Sequence, residues 1–361
     1  MRRISLALPL ALAAGTAGAQ DTDALLAAAR SEPPTTVYAV TGKIVDTAEA
    51  FSAKYGLQVT GKKVNEAGQV DLLIREHQAR NVVGSVSLAA DVASIVAELI
   101  GQGIVESWVP EDVAPHLPES ARDPLVVVSD PHVWAYNTEA HETCPVGNVW
   151  ELTEPAWARR VAILDPLEKP LYADWFNQLE NHHDAAMAAA YETHFGKPFD
   201  AAQGSATAAW VAAFAENAPL VTDSDGIADA VGAAGQAEPF FGMVSTAKFR
   251  ANAEGLKLGL CTGMQPFTGW LYPGLGVIAT ETPAPNTARL FIRYLLTEEG
   301  IANQSVDGKV PSDPRVGLPA DEASGIAAHL DELMVWNTGG SASDLERRQD
   351  WQDLWQTRLA R

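Results

Sequence analysis

Cysteine is nearly missing from this chain of 361 residues: Cys144 and Cys261 are the only two, and two thiols without partners cannot make a metal site of their own. Basic residues are scarce as well, 25 against 46 acidic ones, for a formal charge of −21. That balance excludes nucleic acid as a partner, because a phosphate backbone is held by neutralising it with Lys and Arg. It also leaves no bulk positive field to attract an anion, so any anion site has to be built locally from lysines, hydroxyls and backbone donors; a bound cation would suit the overall field better. No segment has eighteen consecutive uncharged apolar residues, the minimum for a membrane-spanning helix. The Gly-x-Ser-x-Gly elbow, the His-Glu-x-x-His helix and the Gly-x-x-x-x-Gly-Lys-Ser/Thr loop do not occur. A secreted hydrolase with an unrecognised site is the remaining enzymatic alternative. Asp223-x-Asp225-Gly226 has part of a calcium-loop pattern without its earlier carboxylate or distal Glu, and reads as a capping turn. His182 and His183 are adjacent on a helix, about 100° apart, and cannot share a metal.

What is present begins with an export signal at residues 1–19. Arg2 and Arg3 precede the apolar stretch Ile4 to Ala14, and Ala17-Gly18-Ala19 supplies small residues for cleavage near Ala19, so that the mature chain starts at Gln20. No cysteine lies near that point, which argues against a lipid anchor. Export places the protein in the periplasm, an oxidising compartment, so a Cys144–Cys261 disulfide is expected, with two free buried thiols as the alternative. The length suits two domains, each able to bury a core.

The chain then opens with a βαβ unit. Val37, Tyr38 and Val40 form a buried strand, and Ile44, Ala48, Phe51 and Tyr55 recur at helical spacing. Gly56 stops the helix, and Leu57 to Thr60 starts a second strand. Ligands of open α/β sheets bind at such strand ends, where helix N–H groups are unpaired. Thr41, Gly42 and Lys43 are therefore the first candidates. The same position recurs at Ser94 after a strand read at 89–92, at Ser224 and Asp225, and at Ser245, Thr246 and Lys248 after a strand at 240–244. The pattern also predicts a helix over 69–80, separate strands at 124–128 and 133–137 broken by Asp130-Pro131, and a long helix over 171–195. Further on it predicts a helix over 206–214 capped by Ser205, an irregular Gly-, Pro- and Trp-rich segment over 262–276, and helices near 285–296, 322–336 and 342–359.

Gly276 to Gly300 contains Pro283-Ala284-Pro285-Asn286-Thr287-Ala288, Phe291, Leu295 and Glu299-Gly300. With Trp150-Glu151-Leu152, Trp157, Asp165-Pro166 and Ala90-Asp91-Val92, this order resembles the periplasmic solute-binding proteins of ABC importers, the group of ferric-ion, thiamine, phosphonate and hexose-phosphate binders. The resemblance covers about residues 35–315. It implies the α/β, two-lobed periplasmic-binding-protein fold of type II, each lobe a mixed sheet flanked by helices, with two crossover strands as hinge. Lobe one would be residues 20–133, lobe two 134–271, and 272–361 a return to lobe one with C-terminal helices; the crossings fall near 133–136 and 260–272. It also implies a monomer that hands a small-molecule ligand to an inner-membrane ABC permease, without catalysis and without a cofactor.

Ferric binders of this group resemble one another in a pair of adjacent tyrosines after the strand that here ends near Val244. This chain has Ser245-Thr246-Ala247-Lys248 there, and no adjacent tyrosines anywhere. A metal is accordingly not expected, and ferric ion, thiamine or a polyamine is the alternative ligand. Hydroxyls and lysines at strand ends suit a small organic anion such as a phosphonate, sugar phosphate or carboxylate. Lys43 and Lys169 are expected to touch it from opposite lobes. Asp225 would meet a hydroxyl or amine, and Trp270 and Tyr272 would cover an apolar side. Taken singly, Thr41 and Ser224 serve equally well as helix caps, the lysines as solvated charges and Trp270 as hinge packing.

Overall fold

The computed structural model describes residues 14–359, so most of the expected export signal lies outside the described residues; residues 14–19 belong to helix α1 (Ala14–Ala29). The βαβ unit follows as β1 (Thr35–Ala39), α2 (Lys43–Tyr55) and β2 (Val59–Lys63), with β1 and β2 parallel. Ile44, Ala48 and Phe51 are buried, and Gly56, at φ 69°, closes α2 by donating its N–H to the Ser52 carbonyl. Helix α3 (Glu66–Gln78) starts three residues before the expected Gln69 because Asn65 caps it, accepting from the Gly68 N–H. Strand β3 (Gly84–Ala89) ends earlier than expected. Asp91 turns the chain at φ 32° and its carboxylate caps α4 (Val92–Ser94), which runs on as a π-helix over Ile95–Ile100. Ser94 is thus inside a helix instead of at a strand end.

After β4 (Val105–Ser107) comes β5 (Val126–Asn137), one strand where two were expected. Pro131 does not break it. On the flank away from its main neighbour, pairing lapses between Ser129 and His132, so a residue lacking an N–H loses nothing there. The middle of the chain folds as β6 (Val161–Ile163), α5 (Pro170–Phe195), α6 (Ala206–Glu216), β7 (Leu220–Val221), α7 (Ser224–Gly232), β8 (Phe241–Ser245) and β9 (Leu258–Leu260). Ser205 caps α6, accepting from the Ala208 N–H. The segment expected to be irregular is largely β10 (Gly269–Ala279), a strand that tolerates Pro273, Gly274 and Gly276 because it is held on both flanks. Gly269 is required by contact: a Cβ there would lie 2.1 Å from the His132 carbonyl oxygen. The chain closes with α8 (Pro285–Leu295), α9 (Glu298–Ser305), β11 (Val310–Pro311), β12 (Leu333–Val335) and α10 (Ser341–Arg358). Residues 326–332 form two 3-10 turns, and β12 pairs with Gly269–Leu271 of β10, which overrides the helix expected at 322–336.

The sheet order is β2-β1-β3-β10-β5-β8-β6-β7. Two long antiparallel strands, β5 and β10, stand at its centre and belong to both lobes. The end of β10 pairs with β3 and β4, while the end of β5 pairs with β8 and β9. A core on one face of the first lobe joins Val37, Phe51, Ile278 and Phe291; the larger one runs from Leu99 through Trp134 to Trp210. Cys144 and Cys261 are joined by a disulfide with Cα atoms 5.0 Å apart.

Candidate functional site

A cavity open on one side lies where the two lobes face each other across β5 and β10. Its wall takes Ala39 from the end of β1 with Val40 and Thr41 after it, Leu88 and Ala89 from β3 with Ala90 after it, Glu66 from the start of α3, and Lys309 just before β11. Leu164, Lys169, Leu171, Ser224 and Ser245 come from the other lobe, and Asp130, His132, Tyr272 and Pro273 make the floor. An adjoining depression shares Val40, Glu66, Lys169, Leu171 and Tyr272 and extends the cleft past Asp91 and Asn65.

The placement follows from the strand-loop-helix grammar. Thr41 lies two residues before α2, Glu66 is the first residue of α3, Lys169 immediately precedes α5 and Ser224 is the first residue of α7. Four helix starts thus meet at one cavity, each carrying roughly half a positive charge. Two acidic side chains oppose them. Burial raises the Glu66 carboxyl above its ordinary range, with Asp91 and Asp130 adding to the rise and Lys169 and Lys309 opposing it. Asp130 accepts a hydrogen bond from Ser245 Oγ at 2.7 Å. Tyr272 receives the Val92 N–H on its hydroxyl at 3.4 Å, and burial near Asp91, Glu66 and Asp174 keeps the phenol protonated far into the alkaline range.

Of the residues expected at the site, Thr41, Lys169, Ser224, Ser245 and Tyr272 come together in this wall. The others have different surroundings. Gly42 and Lys43 start α2 outside the cavity wall; the Lys43 N–H donates to Thr41 Oγ1. Ser94 Oγ donates to Asp91, and the Thr246 hydroxyl, fully buried, donates to the Gly308 carbonyl. Asp225 and Lys248 form an ion pair with each other, Asp225 being 86% exposed. The cap of α7 is Asp223, not Ser224. Trp270 has no exposed surface and sits behind the floor, stacked between His132 and Trp175 with its Nε1–H directed at Met243 Sδ.

A model of the bacterial extracellular solute-binding proteins matches residues 35–304. The chain is a bacterial extracellular solute-binding protein. Solved structures agree in fold. Iron-bound HitA from Pseudomonas aeruginosa superposes with a TM-score of 0.66 at 16% identity, over 88% of this chain and 99% of that one. The Trichodesmium protein IdiA (FutA), in complex with iron and citrate, gives 0.67 at 14%, over 90% and 99%. The Bordetella ferric binding protein gives 0.65 at 15%, over 90% and 99%. A comparison with curated proteins finds no match. The fold is therefore the two-lobed type II periplasmic-binding-protein fold, and proteins of this family deliver a solute to a membrane permease.

Several site residues of this solute-binding protein escape a reading of the sequence. Glu66 follows Asn65 directly, and Asn-Glu before a helical pattern is a capping signal that would have placed it at a strand end like Thr41. Asp130 and His132 are hidden because Asp130-Pro131 reads as a break. Lys309 precedes a two-residue strand, too short to leave a pattern.

One further cluster ties the lobes together at the edge of the cleft. Arg348 of α10 donates to both oxygens of Asp174 on α5, at 2.9 and 2.7 Å, and to Asp91 ahead of α4, at 2.7 Å. Asp174 is fully buried; burial pushes its carboxyl up to about 7, against the pull of Arg348.

Proposed function

We propose that this solute-binding protein captures a small organic anion with hydroxyl or amine substituents, such as a phosphonate, sugar phosphate or carboxylate, and passes it as a monomer in the periplasm to an ABC permease. The observation that carries this reading is the meeting of Lys169 and Lys309 with Thr41, Ser224 and four helix starts around one cavity. Positive charge and hydrogen-bond donors supplied from both lobes hold an oxyanion without reliance on the acidic exterior. Glu66 and Asp130 add acceptors for an amine or hydroxyl on the same molecule, the part first expected of Asp225. Closure of the lobes about the β5/β10 crossing would seal the solute from water.

The iron named for the three related structures supports a second reading, ferric-ion capture. The local chemistry favours it less. Among the described residues no group of three or more His, Cys, Asp or Glu is arranged to hold a metal. Among the described residues Tyr272 is the only tyrosine in the cavity wall, and its surroundings disfavour a phenolate.

Thermal shift separates the readings, because a ligand that binds only the folded state raises the melting temperature. The panel is methylphosphonate, glucose 6-phosphate, citrate, ferric citrate, thiamine and spermidine. Stabilisation by one or more of the first three, with the compound recovered chemically unchanged, is expected. Stabilisation by ferric citrate but not citrate, by thiamine or spermidine alone, or hydrolysis of glucose 6-phosphate would each replace the proposal.

A further inference from the structure

We propose that His132 reads the solute at the floor of the cleft, presenting its Nε2–H as a hydrogen-bond donor to an oxygen of the bound anion. The inference rests on the solute-capture reading and deepens it.

His132 is held in place from three sides. Its backbone is in register with Trp270 of β10 on one flank and Ser245 of β8 on the other. Its ring stacks on Trp270, with centroids 4.5 Å apart and planes 15° apart, and meets the edges of Tyr172 and Tyr272 at 6.2 and 6.5 Å. Only 7% of the residue is exposed, and it forms part of the cavity wall.

Packing alone does not account for an imidazole here. Nδ1 is buried without a hydrogen-bond partner. Phenylalanine would fill the same aromatic slot with no stranded nitrogen, so the polar ring carries a penalty that a purely structural residue would avoid. The stranded atom also sets the tautomer. A buried N–H without an acceptor is rarer than a buried acceptor without a donor, so the single proton of the neutral ring belongs on Nε2. Burial keeps the ring neutral; Asp130, along the same strand, works against this, and Lys309, across the cavity, works with it.

The tautomer decides the class of ligand. A histidine that binds a metal through one nitrogen nearly always anchors the other N–H on a carboxylate, carbonyl or water. The bare Nδ1 lacks that anchor, which fits a donor to an oxygen atom and not a metal ligand. Asp130 is already engaged by Ser245. The oxyanion is then shared between Lys169, Lys309 and this neutral donor, and the donor distinguishes an oxygen-rich solute from a cation.

The test compares the full-length protein with His132→Phe, which keeps the stack on Trp270, and His132→Gln, which returns an amide donor. Melting temperatures are measured alone and with methylphosphonate, glucose 6-phosphate, citrate and ferric citrate. Expected are an unliganded Phe variant at least as stable as the parent, a tenfold or greater loss of its affinity for the anion that stabilises the parent, and substantial recovery in the Gln variant. Equal anion affinity in the parent and the Phe variant overturns this role while leaving the capture proposal standing. If no anion stabilises the parent, both fall. Stabilisation of the parent by ferric citrate but not citrate, lost in the Phe variant, would make His132 a metal ligand and overturn the proposal. Long-range 1H–15N spectra of the imidazole rings provide a check independent of any variant's folding: a proton on Nε2 supports the proposal, and one on Nδ1 overturns it.

Discussion

Replacing Arg348 with Met tests the buried ion cluster that links the lobes. Asp174 has no exposed surface, and Arg348 gives it two hydrogen bonds while also reaching Asp91. Methionine fills most of the volume but leaves a carboxylate in the interior without its countercharge. Removing one partner of such a pair costs about 3–5 kcal/mol. Asp91 keeps its second task, accepting from the Ser94 N–H and hydroxyl, so the loss falls mainly on Asp174. An unfolding entropy of about 2.1 cal/mol/K per residue gives roughly 0.7 kcal/mol/K for a chain of this size, so the melting temperature should drop by about 6 °C. The pH dependence gives a second signature. Burial already raises Asp174 to about 7 with Arg348 present, and without it the carboxyl rises further. A group raised in the folded state contributes stability that is complete below its unfolded value, near 4, and is lost as pH climbs through the folded value. The deficit of the variant should therefore be larger at pH 8 than at pH 5. Differential scanning calorimetry at both pH values measures this, and Arg348→Met combined with Asp174→Asn should recover part of the loss. A deficit below about 1 kcal/mol, or one independent of pH, would refute the reasoning.

Glu32 binds the start of α8 through four hydrogen bonds from Asn286 and Thr287, and although burial works to raise its carboxyl, these donors hold it below the usual range. Glu32→Gln should cost about 2 kcal/mol at pH 7, and the gap from the parent should close as pH falls below about 4.5, which urea melts over pH 3–7 would follow. The disulfide spans 117 residues, so a Cys144→Ser, Cys261→Ser variant should lose up to about 5 kcal/mol in denaturant titrations, and alkylation without reductant should leave the parent's mass unchanged. Lys169→Ala and Lys309→Ala should each weaken binding of the stabilising anion by about ten- to a hundredfold in calorimetric titrations, the equivalent of a charge-assisted hydrogen bond; Lys43→Ala, outside the cavity wall, should leave it unchanged.

Local signals carried much of the fold. The unit from Thr35 to Lys63 is readable because strand, helix stop and second strand each have their own residue pattern within thirty positions. The same holds for Ser205 capping α6 and Pro285 starting α8. What the sequence conceals depends on distant partners. Pro131 looks like a break until one knows that the flank where its N–H is missing faces a gap between strands, and β10 looks irregular until its neighbours hold Pro273 and Gly274 in line. Residues 333–335 become a strand only because Gly269 to Leu271 is there to pair with them. The site divides in the same way. Thr41, Lys169, Ser224 and Ser245 follow from their place at strand ends. Glu66, Asp130, His132 and Lys309 depend on exact element boundaries, and the pairing of Asp225 with Lys248 on an exposed surface leaves no trace in their spacing.

The most direct test of anion capture is native mass spectrometry of gently purified protein, with the released solute identified by fragmentation. The account requires a small organic adduct carrying a phosphate, phosphonate or carboxylate, absent from the Lys169→Ala variant prepared in the same way. An iron adduct, or bare protein that then takes up ferric citrate but not citrate or methylphosphonate, would contradict it.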